Sequence, residues 1–181
     1  MSVSQRAIKD IALIAICAAI LFVQQLALSF LPNIQFSTLM IVLYAKVLGF
    51  KRTTLIIIVH VIAINIFSPF GAMLPTHIPF MVLAWMIVPI SLSTFLKKIE
   101  SSLGLALFGL IFGFVYGWMF IPAAVFLTDA PFVAYFLMDL PFEIIMAVSN
   151  FITIYWLYRP LKDVFFDQLI KFEQHKNGDS L

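Results

Sequence analysis

Charge is what this chain has least of. Only 11% of its 181 residues are Asp, Glu, Lys or Arg, about half the share of a soluble domain. Hydrophobic residues make up 63%, and mean hydropathy is +1.08. A water-soluble domain of this length cannot hide so many apolar side chains, so composition places most of the chain in lipid. The net charge of +2 is too small for a phosphate-binding surface, which excludes nucleic acid as a partner. Cys17 is the single cysteine, so neither an internal disulfide nor a CxxC redox pair can form. There is no G-x-S-x-G elbow, no HExxH and no GxxxxGK[ST] loop, so the chain lacks a recognisable apparatus for hydrolysing ATP. Its three histidines are scattered; neither a metal site nor a cofactor is indicated.

Apolar runs fill the space that charge leaves. One crossing of the hydrocarbon takes roughly 20 residues, and the interruptions predict six: Ile11–Leu31, Ile34–Gly49, Thr53–Ser68, Ile78–Leu96, Leu103–Leu127 and Asp139–Tyr158. Arg6 and Lys9 precede the first run as they would in a signal peptide. The run exceeds a signal core of about 7–15 residues, however, and is read as a retained helix. The basic residues sort by side. Arg6 and Lys9 come before the first span, Lys46, Lys51 and Arg52 around the second turn, Lys97 and Lys98 after the fourth span, and Arg159, Lys162, Lys171 and Lys176 after the sixth. All 11 then fall on one face, which the positive-inside rule makes cytoplasmic along with both termini. The expected fold is an all-α membrane protein, six transmembrane helices in one bundle.

Residues 1–160 would form the transmembrane domain and 161–181 a cytoplasmic tail. Pro160 is a suitable helix start. Leu161, Phe165, Leu169 and Phe172 recur at helical spacing, predicting an amphipathic helix on the inner leaflet or on a partner. Lys46 is placed to snorkel from the second span. The outer connections, 31–33, 68–77 and 128–138, are proline-bearing yet apolar, as lids or re-entrant turns are; short loops in the headgroup region are the alternative.

Polar residues inside a bilayer are costly and often functional. Asp139, Glu143 and Asn150 share a helical stripe with Met146, and the two carboxylates stand one turn apart. With no Lys or Arg on that side, they meet a ligand bearing N–H, O–H or positive charge, are protonated, or find donors within the bundle. Asn65, His77, Trp85, Tyr116 and Trp118 reach the same outer half. So do Asn33 and Gln35, with Gln24 and Gln25, around the first outer turn. Together they suit an aromatic cage with polar anchors; singly, the aromatics also read as an interfacial belt and His77 as a loop hydrogen-bonder. Deep in the third span, His60 suits a bond to a neighbouring helix. Small residues mark two packing faces: Ala12, Ala15 and Ala19 on the first span, and Gly109, Gly113 and Gly117 on the fifth. The glycine face is expected to pack inside the bundle.

Six spans in about 180 residues, the Ala15/Ala19 AxxxA pair, the lid-like outer loops and the stretch Leu31-Pro32-Asn33-Ile34-Gln35 before a short second helix resemble the substrate-binding S components of energy-coupling factor transporters. The resemblance covers roughly residues 7–160. It implies a multi-pass protein of a prokaryotic plasma membrane that captures a vitamin-like small molecule from outside. It further implies docking through the small-residue face (Ala12, Ala15, Ala19) onto a transmembrane coupling subunit driven by two cytoplasmic ATPase subunits. The missing ATPase motif agrees with that division of labour. Without outer cations, a phosphorylated or multiply anionic ligand is disfavoured. Carboxylates beside aromatic walls suit a nitrogen heterocycle of the hydroxymethylpyrimidine, pyridoxine or thiamine type, with cobalamin also open. Neutralising Asp139 or Glu143 is expected to weaken binding about tenfold. A self-sufficient small transporter or channel would need inverted repeats or a polar path. An intramembrane enzyme would need a nucleophile–base set. The sequence displays none of these.

Overall fold

The computed structural model describes residues 3–67, 75–127 and 129–178. Every regular element among them is helical: α1 (Val3–Ala27), α2 (Ser37–Val47), α3 (Phe50–Ile66), α4 (Ile78–Ser93), α5 (Ser102–Trp118), α6 (Ile121–Leu127) and α7 (Phe132–Gly178), with a 3-10 turn at Pro75–His77. An apolar chain leaving water must satisfy each backbone N–H and C=O internally, and a helix does this locally. Four stretches are long and apolar enough to cross a bilayer: Ala7–Ala27, Pro75–Ser93, Ser102–Phe126 and Phe132–Phe172. That is the make-up of a membrane protein. The expected second and third spans correspond to α2 and α3, which at 11 and 17 residues fall short of the roughly 20 that one crossing takes.

The shortness of α2 has a packing reason. It is apolar all round, and Ser37, Thr38, Leu39, Ile41, Val42, Leu43, Tyr44 and Ala45 are all buried. Helices α1, α3, α4, α5 and α7 all contact it, so it forms the axis of the bundle rather than a lipid-facing member. Gly49, at φ +80°, takes the left-handed conformation that side chains resist and reverses the chain into α3. Around it the Leu48 N–H donates to the Tyr44 carbonyl at 2.8 Å and Thr53 Oγ1 donates to the Gly49 carbonyl at 2.9 Å.

Helices α5 and α7 share the most extensive contact in the molecule, and the glycine face makes it possible. A Cβ on Gly113 would sit 2.5 Å from the Ala147 Cα; one on Gly109 would strike Ile154, and one on Gly117 would strike Glu143. The doubled GxxxG is therefore an internal seam, as its spacing predicts. The expected fifth span is divided by a turn at Met119–Phe120.

Helix α7 departs most from expectation. It begins at Phe132, seven residues before the expected Asp139, so 132–138 is helix rather than loop. Nor does a new helix begin at Pro160: α7 runs through both Pro141 and Pro160 for 47 residues, about 70 Å. Proline removes one donor but does not end a helix whose surroundings hold its flanks. Those flanks are held, because Leu161, Phe165, Leu169 and Phe172 pack against the core and the Phe165 ring lies 5.5 Å from that of Tyr44. The amphipathic stripe exists, but it covers the chain's own bundle.

Several of the basic residues meet near one end of the helices. Arg52 pairs with Asp10 at 2.8 Å, joining the start of α3 to that of α1. Lys46 Nζ donates to the carbonyl of Lys97 at 3.0 Å, just beyond α4. Lys9 and Lys171 line one cavity between the start of α1 and the late part of α7. These contacts bring the basic ends of five helices together. The expected lid at 68–74, the Arg6 side chain, Thr128 and the last residues of the tail lie outside what the structure describes.

Candidate functional site

At the opposite end, the chain leaving α1 winds through hydrogen-bonded turns at Leu28, Leu31 and Ile34. Asn33 adopts φ +57°, a conformation that asparagine tolerates better than most side chains. Gln24 staples both ends of this loop. Its Oε1 accepts the Phe36 N–H at 2.9 Å, and its Nε2 donates to Ser37 Oγ at 2.7 Å, satisfying the start of α2 where no side-chain N-cap is present. Ser37 Oγ in turn lies 3.1 Å from Gln35 Oε1. Across the gap, Asn33 Nδ2 donates to the Phe142 carbonyl of α7 at 3.0 Å, tying the loop to that helix.

Between loop and helix lies a cavity of about 650 Å³, lined by residues 28–35 together with Gln25, Asp139 and Phe142. This volume falls in the range of small-molecule pockets, roughly 300–1,000 Å³. No Lys or Arg lines it. Asp139 is half-buried and has no ion-pair partner among the described residues. A carboxylate so placed is an acceptor awaiting a donor. Four of the residues singled out by sequence, Gln25, Asn33, Gln35 and Asp139, meet here.

The others are placed elsewhere. Glu143 is buried in the α5–α7 seam, where its Oε2 accepts the Trp118 Nε1–H at 3.1 Å; it does not line the cavity. Asn150, also buried, donates through Nδ2 to the Gly109 carbonyl at 3.1 Å, a cross-helix clamp. Both therefore find donors or acceptors within the bundle, one of the outcomes left open by the sequence. Trp85, buried on α4, packs 4.8 Å from Tyr116 of α5. Tyr116 adjoins Phe120 at 5.3 Å, and Phe120 stacks on His77 at 6.2 Å. These rings form a ladder between α4 and α5, and none of them lines the Asp139 cavity. Asn65 donates to the Val61 carbonyl at 2.8 Å, within its own helix, and to Met81 Sδ at 3.4 Å. Buried His60 has no hydrogen-bond partner for either ring nitrogen among the described residues; the expected bond to a neighbouring helix is not made.

Ala15 and Ala19 face outward on α1, Ala12 is partly covered, and Ala18 is buried. Around the outward pair stand the exposed Ile8, Ile11, Ile16 and Val23, leaving an apolar face with small residues at its centre. The sequence places Gln24 and Gln25 only near the first turn; the staple formed by Gln24 is not legible in it, although its distance of 13 residues from Ser37 fits a helix–loop–helix closure. Comparison of the chain with protein families, curated proteins and solved structures gave no match.

Proposed function

We propose that this chain is the substrate-binding subunit of an energy-coupling factor transporter, capturing a water-soluble, nitrogen-bearing nutrient at the outer face of a plasma membrane. The observation that carries the reading is the roomy cavity under the α1–α2 loop, with its half-buried Asp139 and no cation on its walls. Such a site favours a neutral or cationic ligand that donates N–H to the carboxylate, with Asn33 and Gln25 as further polar partners. A heterocycle of the hydroxymethylpyrimidine, pyridoxine or thiamine type meets that demand; cobalamin is a larger candidate.

In this reading the chain crosses six times, with α2 and α3 counted among the crossings although they are only 11 and 17 residues long. Both termini and the basic end are cytoplasmic, as the positive-inside rule requires. The outward Ala15/Ala19 face of α1 suits close helix packing on a membrane coupling subunit. Two cytoplasmic ATPase subunits would supply the energy that this chain's motifs do not.

The test is to purify the protein in detergent, identify any co-purified small molecule by mass spectrometry, and titrate that molecule by calorimetry. Asp139→Asn should weaken its binding at least about tenfold, close to 1.4 kcal/mol. Equal affinity in wild type and variant would overturn the assignment of the pocket.

A further inference from the structure

Polar side chains around the start of α2 fix one another's direction, beginning from two backbone groups. The Phe36 N–H donates to Gln24 Oε1 at 2.9 Å, so that end of the Gln24 amide is its oxygen. The other end, Nε2, donates to the Leu21 carbonyl at 2.9 Å and to Ser37 Oγ at 2.7 Å. Ser37, fully buried, therefore accepts from Gln24 and has one proton of its own to give. That proton meets Gln35 Oε1 at 3.1 Å, with Gln25 Oε1 at 3.5 Å. Both glutamine oxygens are turned to Ser37, so the Nε2 groups of Gln35 and Gln25 remain for the cavity that both residues line. The α7 side has the opposite polarity. The Asp139 carboxylate offers acceptors there. Asn33 spends Nδ2 on the Phe142 carbonyl at 3.0 Å, which leaves its Oδ1 as another acceptor beside α7.

We infer that Gln35 and Gln25 are specificity-determining donors, held in that sense by Ser37 as a positioning residue, and that the cavity selects a ring compound with an acceptor at one end and a donor at the other. Such selection rests on the capture function proposed for this cavity, and it sets the orientation: acceptor edge toward the glutamines, N–H edge toward Asp139. Phe30 and Phe142 supply apolar surface for the ring. A ligand bound the other way round would set N–H against N–H and oxygen against oxygen, leaving buried polar groups unpaired. A ligand with donors alone would desolvate the glutamine N–H groups without replacing their water, and a site built to bond a polar group discriminates against the analogue that lacks it.

Three small probes separate the two ends. 4-Aminopyrimidine has an amino donor and, across the ring, a nitrogen acceptor; aniline keeps the donor alone and pyrimidine the acceptors alone. Each is titrated into the full-length protein in detergent, with binding followed at the glutamine side-chain amides by isotope-edited NMR. Wild type should bind 4-aminopyrimidine at least about fivefold more tightly than either partial probe. Gln35→Leu should weaken 4-aminopyrimidine and pyrimidine by about threefold or more and leave aniline unchanged. Asp139→Asn should weaken 4-aminopyrimidine and aniline and leave pyrimidine unchanged. Ser37→Ala, which frees the glutamine amides to turn, should weaken pyrimidine as Gln35→Leu does, without affecting aniline. A variant that merely misfolds loses all three probes together, and the wild-type order then decides. Equal affinities in wild type, probes that shift neither cavity glutamine, or pyrimidine following Asp139 would each overturn the inference. If the probes fail in one of these ways while Asp139→Asn still weakens the co-purified nutrient, only the polarity falls. If that nutrient is indifferent to Asp139, the capture site falls with it.

Discussion

Asp139 and Glu143 stand one helical turn apart, yet their surroundings give them different work. Glu143 is buried against Gly117 and holds the Trp118 indole, whereas Asp139 borders an open cavity. Glu143→Gln keeps a carbonyl oxygen for Trp118 and should change unfolding free energy by less than about 0.5 kcal/mol. Glu143→Leu removes the acceptor and should destabilise by roughly 0.5–1.5 kcal/mol. Denaturation in mixed micelles would measure both. The effect of Glu143→Gln on ligand affinity should be well below that of Asp139→Asn; the reverse order would shift the binding site into the α5–α7 seam.

At the scale of elements, the seam depends on the absence of side chains. Gly113→Ala would press a methyl group into the Ala147 backbone and should destabilise by about 1–3 kcal/mol, whereas Ile111→Ala on the exposed side of α5 should have a much smaller effect. The small-residue face of α1 makes the opposite prediction. Ala15 and Ala19 are exposed, so, under the proposed function, Ala15→Leu/Ala19→Leu should leave both folding and ligand binding intact while abolishing co-purification with the proposed coupling subunit. Loss of ligand binding in that variant, measured by calorimetry on the isolated chain, would contradict the division between a capture end and a docking face.

At the scale of the whole molecule, the prediction concerns sidedness. In a Cys17→Ala background, cysteines placed at Lys97 and Asp167 should react with an impermeant maleimide only after the membrane is opened. A cysteine at Ser29 should react in intact cells. Labelling of Lys97 and Ser29 from the same side would break the six-crossing arrangement, and the outward-facing cavity with it.

The sequence by itself determined the solvent and the sorting. Scarce charge and long apolar runs dictate helices in lipid, because no other open backbone satisfies its own hydrogen bonds there. The Lys and Arg positions assign one end as basic in a six-span reading, because long cationic side chains stay with the polar boundary. The glycine spacing foretold a seam, because period alone puts Gly109, Gly113 and Gly117 on one face. Tertiary structure decided what each polar group answers to. Glu143 and Asn150 share a stripe with Asp139, but the neighbour across the stripe changes from seam to cavity within one turn. Lys46 found carbonyls beyond α4 in place of water, α2 became the bundle's axis, and α7 passed through Pro160 because its tail had a core to pack on. These outcomes depend on contacts between residues distant in the chain, such as the 109 positions separating Asn33 from Phe142, and local pattern carries no information at that range.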